Sequence, residues 1–308
     1  MTQSSSIFWQ NFNAAFSSGA FIKTKAEING LSICSVMLEM CFGDQILAKG
    51  TGWFWRLSDG IALVTAWHNL SGLHHTVRKP ISRHGGIPDR VRFRYMTKQP
   101  QTFQVQEIPL YLDDNRTQPR WFVHPTFGSY LDMAYLGLKG AYAACVNDIV
   151  PMMKSPVRPG YDVFAVGFPQ GVKMANFLPV WKRGTVASDP DIPVEGHPKF
   201  YVDIAGRGGL SGAPVYRTQQ GFVVNQIPTG KTIEIGEQIE FLGLYSGRAS
   251  DQLPPDVRTG ESTDLGFVWR ATFVQEMLKN GVLDECPEVE KGAVTMEEFW
   301  CKAGDAES

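Results

Sequence analysis

Three segments of this 308-residue sequence carry residue types that could together perform nucleophilic chemistry. His68 follows the mostly apolar residues 62–67, Asp132 precedes the mostly apolar residues 133–136, and Ser211 lies among Gly208, Gly209 and Gly212. A serine hydroxyl is a weak nucleophile at neutral pH and needs a nearby base, and histidine is the side chain that titrates closest to that range. A carboxylate beside the histidine would orient its ring and stabilise its charged form. The sequence therefore predicts that His68, Asp132 and Ser211 act as one catalytic group.

The glycines around Ser211 have a second implication, because they allow a sharp backbone turn. Such a turn aims backbone N–H groups at the negative oxygen that develops during acyl transfer. We expect the amides of Gly209 and Ser211 to donate these hydrogen bonds, each contributing about 3 kcal/mol as in comparable sites.

The remaining histidines fit structural or solvated positions rather than the role of base. They lie in a polar loop, before a proline, or in a Pro/Gly-rich segment: His74, His75, His84, His124 and His197. His, Cys and Asp residues nowhere cluster at the spacing of metal ligands, so neither a metal nor another cofactor is expected.

The three segments resemble those of the trypsin/chymotrypsin-like serine peptidase family. The histidine segment reads GTGWFW at residues 50–55 and ALVTAWHN at 62–69, with Trp67 in place of an alanine. The aspartate segment combines FVHP at 122–125 with YLDMAYL at 130–136. The serine segment at 201–215 is similar to the family's Gly-Asp-Ser-Gly-Gly-Pro loop, and departs from it at two positions, Leu210 and Ala213. This resemblance implies a serine endopeptidase that acts on a protein or peptide substrate, similar to stand-alone bacterial members of the family.

The resemblance also implies a substrate pocket, lined by Ala205, Gly206, Ser246, Gly247 and Arg248. Ala205 stands where relatives with a preference for Lys or Arg have an aspartate, so the sequence predicts a small or medium apolar residue before the scissile bond. Recognition of Asp or Glu by an inward-facing Arg248 is the alternative. Leu210 replaces the aspartate that pairs with a newly cut N-terminal amine in relatives, so activation by that route is not expected.

The elements that must position these residues are short strands. From residue 26 onward, apolar or alternating runs are separated by Gly, Pro, Asn and Asp, which is typical of an all-β protein. Strands are predicted at 31–40, 46–55, 61–66, 91–95, 103–111 and 133–138, and again at 162–167, 180–187, 200–204, 213–216, 221–226 and 239–246. Apolar residues at helical spacing between 265 and 280, followed by Gly281, predict one helix. With the resemblance, this indicates a chymotrypsin-like fold of two antiparallel Greek-key six-stranded β-barrels and a C-terminal helix.

The predicted domain organisation follows from these runs and from the Pro/Lys-containing stretch 151–156. It comprises an N-terminal extension (1–25), an N-terminal barrel with His68 and Asp132 (26–150), a C-terminal barrel with Ser211 (151–264), a helix (265–283) and an acidic tail (284–308).

Composition limits the classes of partner. A hydrophobic content of 43% is ordinary for a globular protein, and a net charge of −2 gives no broad attraction for nucleic acid or for a membrane surface. The basic run at 78–84 is expected to be a solvated loop. Five scattered cysteines (Cys34, Cys41, Cys145, Cys286 and Cys301) and a start that does not resemble a signal peptide predict reduced thiols and a cytoplasmic location.

An α/β-hydrolase and a catalytically silent protein are the two alternatives to the endopeptidase. An α/β-hydrolase carries its catalytic residues in the order serine, acid, histidine, and no histidine follows Ser211. A catalytically silent binding or scaffold protein with the same fold stays open, and so does a regulatory protein partner.

Overall fold

Two antiparallel β-sheets dominate the part of the chain that the computed structural model describes, which is residues 28–82, 85–98, 102–140, 142, 144–150, 156–174, 177–227, 230–248 and 264–285. The all-β, chymotrypsin-like class predicted from the sequence is confirmed. The predicted N-terminal extension lies outside the described residues.

The first sheet contains eight strands. In chain order they are β1 (Ser35–Phe42), β2 (Gln45–Arg56), β3 (Ile61–Thr65), β4 (Arg90–Met96), β5 (Phe103–Pro109), β6 (Trp121–Val123), β7 (Ala134–Leu138) and β14 (Val282–Leu283). The spatial order is β14-β6-β7-β3-β2-β1-β4-β5. The prediction of six strands missed β6 and β14, because runs of three and two residues are too short for an alternation to be recognised.

The first sheet curves around its own core. Phe93 of β4 lies near one end of the strand order and Trp121 of β6 near the other, and both are buried in the same apolar cluster as Leu38 and Leu63. Strand β3 is buried along its whole length because Ile61 and Leu63 pack in the core of the first sheet, while Ala62 and Val64 pack in a second core on the opposite face. His68 follows three residues after this strand ends.

The second sheet is a closed six-stranded barrel. Its strands are β8 (Asp162–Gly167), β9 (Val180–Val186), β10 (Lys199–Asp203), β11 (Pro214–Ile227), β12 (Gly230–Arg248) and β13 (Leu265–Arg270), in the order β10-β13-β12-β11-β8-β9. The count of six agrees with the prediction, but the membership differs. Two predicted strands, 213–216 and 221–226, form the single strand β11, and the sixth strand is β13.

Four short helices accompany the sheets in the described residues: α1 (Gly30–Cys34), α2 (Trp67–Ser71), α3 (Val146–Ile149) and α4 (Ala271–Asn280), with one 3₁₀ turn at Pro169–Gly171. No helix in these residues is both long and apolar enough to cross a membrane.

The predicted helix 265–283 is wrong in its first six residues and its last three. Leu265–Arg270 pairs with β10 and β12, so barrel closure outweighs the helical spacing of its apolar residues. The helix begins only at Ala271 and ends at Asn280, before β14. Its buried face, which includes Val274 and Met277, packs on the core shared by both sheets.

That shared core joins the two units. Trp53 and Val64 of the first sheet pack in one cluster with Tyr216, Phe241 and Trp269 of the barrel. The rings of Trp53 and Phe241 are 5.1 Å apart. Side chains from either unit can therefore be held rigidly against the other.

Candidate active site

His68 lies at the end of β3, as the second residue of helix α2. The helix ends at Gly72, whose left-handed φ of 70° lets its amide donate to the His68 carbonyl. The His68 side chain is 19% exposed, so it is held by the protein yet reaches the surface of a cavity.

Asp132 holds His68 by two contacts. The Nδ1 atom of His68 is 2.6 Å from Oδ2 of Asp132, and the backbone N–H of His68 donates to Oδ1 at 2.9 Å. The hydroxyl of Ser246 donates to the same Oδ2. Both oxygens of a carboxylate that is only 1% exposed are thus engaged.

Burial alone would raise the pKa of Asp132, but other contributions outweigh it. The charge and hydrogen bond of His68, the charge of His75 and the hydrogen bond from Ser246 hold the pKa of Asp132 well below its usual range. Asp132 is therefore an acceptor at neutral pH, and the neutral His68 ring carries its proton on Nδ1. Its Nε2 is left as the basic nitrogen.

Ser211 sits in a tight loop between β10 and β11 that requires glycine. Gly209 and Gly212 have φ of +92° and +89°, in the left-handed region. A Cβ on Gly209 would lie 2.5 Å from the carbonyl oxygen of Phe168, and one on Gly212 would collide with the carbonyl oxygen of Thr51. Leu210 points the other way, into the barrel core.

Two residues to which the sequence assigned no role fix this loop against the first sheet. The backbone N–H of Thr51 and the side-chain amide of Asn69 both donate to the Ser211 carbonyl, at 3.0 Å each. The Thr51 hydroxyl donates to the Gly209 carbonyl at 2.8 Å and accepts from the Phe168 amide at 3.1 Å. Thr51 could have been singled out in the sequence as a hydroxyl among apolar strand residues, because a buried polar group must find a hydrogen-bond partner.

The three residues predicted to act together line one cavity of about 650 Å³. His68 and Asp132 come from the first sheet unit, and Ser211 comes from the barrel. Gly209 lines the same cavity. Within the described residues, the amides of Gly209 and Ser211 donate to no other protein group, so both remain available to an oxyanion.

The residues predicted for the substrate pocket are not all on this cavity. Ser246, Gly247 and Arg248 line it. Gly206 instead faces the Tyr245 side chain, and the Ala205 carbonyl accepts a hydrogen bond from Nζ of Lys182 at 2.7 Å. The Ser246 hydroxyl serves Asp132 in addition to its place on the wall.

The loop after α2 differs from the solvated loop that the sequence predicted. His75 is buried, stacked 5.1 Å from His74 and edge-on to Trp269, and burial lowers its pKa to about 3. Arg78, in the basic run, stacks over Trp67 at 4.6 Å and over Tyr130 at 5.2 Å. This loop therefore packs against the site.

Across the described ranges, no three His, Cys, Asp or Glu side chains are grouped so that they could hold a metal ion. The described cysteines, Cys34, Cys41 and Cys145, are buried free thiols, and Cys286 and Cys301 lie outside the described residues.

A family model described as "Trypsin-like peptidase domain" matches residues 50–224, more than half of the 308-residue chain. The chain belongs to the trypsin-like peptidase family. The matched range of this trypsin-like peptidase contains His68, Asp132 and Ser211 and ends within β11.

Solved structures similar to this chain include two proteins described as proteases. The serine endoprotease from Yersinia pestis is 12% identical over 82% of this chain, with a TM-score of 0.43, and this chain spans 66% of that structure's length. The MamO protease domain from Magnetospirillum magneticum is 14% identical over 82% of this chain and 99% of its own, with a TM-score of 0.45. No curated protein matches the sequence.

Proposed function

We propose that this trypsin-like peptidase is an active serine endopeptidase with the catalytic triad His68, Asp132 and Ser211. The observation that carries the proposal is the 2.6 Å contact between His68 and a buried, ionised Asp132, on the same cavity as a serine in a glycine-dependent loop. A pure scaffold would have no need to keep these features together.

In the proposed reaction, Nε2 of His68 accepts the Ser211 hydroxyl proton while the Ser211 oxygen attacks the peptide carbonyl carbon. The tetrahedral intermediate collapses when His68 passes that proton to the leaving amine, which yields an acyl-enzyme and the first product. Water then attacks the ester by the same route in reverse, releasing the acid and restoring Ser211. Asp132 stays ionised throughout and stabilises the imidazolium.

The amides of Gly209 and Ser211 supply the oxyanion donors in this scheme. The Gly208 carbonyl accepts a hydrogen bond from the Gln170 amide, and the Leu210 carbonyl accepts one from the Ala213 amide at 3.0 Å, so the two peptide units that carry these N–H groups are held before substrate binds. Donors that need no reorganisation stabilise the developing charge most effectively.

Labelling with a small fluorophosphonate separates the endopeptidase from a silent scaffold, since only an activated serine reacts. We expect wild type to gain one adduct, which mass spectrometry of the digested protein locates at Ser211. His68→Ala should react at least about 100-fold more slowly, because it lacks the base, and Ser211→Ala should gain no adduct. Folded wild-type protein that stays unlabelled would show that the site is silent.

A further inference from the structure

The side chain of Tyr245 fills the space between two glycines of the second barrel, Gly206 and Gly266. A Cβ on Gly206 would collide with the Tyr245 hydroxyl oxygen, and one on Gly266 would lie 2.6 Å from it and 2.8 Å from Cζ. The tyrosine is only 1% exposed. The ring is therefore clamped between two backbone segments that approach closely only because neither carries a side chain.

Arg248 covers the outer side of the same space. Its Cγ atom lies 3.1 Å from the Cβ position of Gly206, while the residue itself lines the active-site cavity. Arg248 is the last residue of β12, and the aliphatic part of its side chain thus lies across the gap between that strand end and the segment that begins at Gly206.

This gap is where a substrate side chain would have to go. In a bound substrate, the carbonyl oxygen of the scissile bond would accept hydrogen bonds from the amides of Gly209 and Ser211. The substrate residue that carries this carbonyl would then lie between two stretches of the barrel unit that border Ser211. Those stretches are 205–208 and 246–248, and Tyr245 and Arg248 occupy the space between them. A close-packed interior leaves no room for a second large group.

We propose that Tyr245, with Arg248 as its cover, restricts this enzyme to cleavage after glycine or alanine. The proposal rests on the proposed endopeptidase function and narrows the sequence-based expectation of small or medium apolar residues. It assigns Tyr245 as a specificity-determining residue that acts by occupying the pocket, although it lies outside the catalytic group. Glycine and alanine side chains alone fit above the ring without displacing it.

Peptidyl phosphonate esters test this without requiring turnover. A series is made in which the residue bonded to phosphorus carries a hydrogen, methyl, isobutyl, benzyl or carboxymethyl side chain, and the rate of Ser211 labelling is measured. We expect wild type to react with the hydrogen and methyl compounds at least about tenfold faster than with the others, the ratio that 1.4 kcal/mol provides.

The decisive variant is Tyr245→Val, which removes the ring and introduces a β-branched residue that suits a strand. Its reaction with the isobutyl and benzyl compounds should rise at least tenfold relative to the methyl compound. Leu242→Ala is the matched control, since Leu242 is buried in the same barrel core but is not one of the side chains nearest to Gly206 and Gly266, and it should keep the wild-type profile.

The proposal is overturned if wild type reacts with the isobutyl or benzyl compound as fast as with the methyl compound, if it prefers the carboxymethyl compound, or if labelled Tyr245→Val has an unchanged profile. Reaction with a small fluorophosphonate but with no peptidyl compound in either protein also contradicts it. Failure of the endopeptidase proposal itself gives a different pattern, in which even the small probe does not react.

Discussion

At the scale of single residues, burial of the His75 imidazole couples its protonation to folding. An unfolded histidine takes up a proton near pH 6.5, whereas burial lowers the pKa of folded His75 to about 3. Between these values the unfolded chain binds a proton that the folded chain does not. Stability is therefore lost as the pH falls from 6.5 toward 3, by at most about 1.4 kcal/mol per pH unit.

His75→Gln removes this proton uptake from both states. We expect the melting temperature of the variant to fall less steeply than that of wild type between pH 6.5 and 4, as followed by calorimetry. Lys79→Gln, an exposed change in the same loop, should keep the wild-type slope. Parallel curves for His75→Gln and wild type would mean that His75 is protonated in the folded protein.

The sequence could predict the role of a single residue where that role shows in a short stretch of neighbouring residues. His68, Asp132 and Ser211 each sit in a short motif whose residue types point to the chemistry. Asn69 could not be assigned, because its acceptor Ser211 lies 142 positions away. The same holds for Tyr245, since Gly206 and Gly266 meet it only in the folded barrel.

At the scale of elements, the end of the described chain is tied to helix α2, which carries His68. The indole N–H groups of Trp67 and Trp121 both donate to Oδ2 of Asp284, at 2.7 and 2.8 Å. Trp67 directly precedes His68 and replaces an alanine of the family's motif, and Arg78 covers its face. Asp284, predicted to begin a loose acidic tail, instead anchors the strand β14 beside α2.

Asp284→Ala would leave two buried indole donors without this acceptor. We expect a loss of about 2–3 kcal/mol in the free energy of unfolding, seen as a melting temperature lower by several degrees. The fluorophosphonate labelling rate of Ser211 should also fall, because helix α2 loses a contact next to His68. Asp284→Asn keeps a carbonyl acceptor and should restore most of both quantities.

If Asp284→Ala and wild type were labelled at equal rates, both measured well below their melting temperatures, Asp284 would have a structural role only. A melting temperature as low in Asp284→Asn as in Asp284→Ala would show that the hydrogen bonds are not what matters.

Whether a segment forms a helix or a strand was predictable where its apolar pattern was unambiguous. The prediction failed where pairing with neighbouring strands decided the structure. The alternating runs gave most strands of both sheets. Leu265–Arg270 carries apolar residues at spacing that suits a helix, yet it supplies the sixth barrel strand because β10 and β12 offer it hydrogen bonds on both edges. The short strands β6 and β14 form only because neighbouring strands hold them.

At the scale of the whole molecule, the site exists only where the two units meet. His68 and Asp132 belong to the first sheet unit, and Ser211, Gly209 and Ser246 belong to the barrel. Thr51 and Asn69 of the first unit hold the serine loop of the second, over a shared aromatic core. The sequence predicted two β units and the order of their catalytic segments, but it carried no information on the contacts between the units.

We propose that His68, Asp132 and Ser211 act as one catalytic unit. The most direct measurement is kcat/KM on one peptide that wild type cleaves, for Ser211→Ala, His68→Ala, Asp132→Asn and the double variant of Ser211 and His68. Each single change should lower kcat/KM by roughly 10⁴-fold or more, and the double variant should lose little beyond Ser211→Ala. Cleavage by Ser211→Ala at the wild-type rate, or a double-variant loss equal to the product of the single losses, would show that the three residues do not act as one unit.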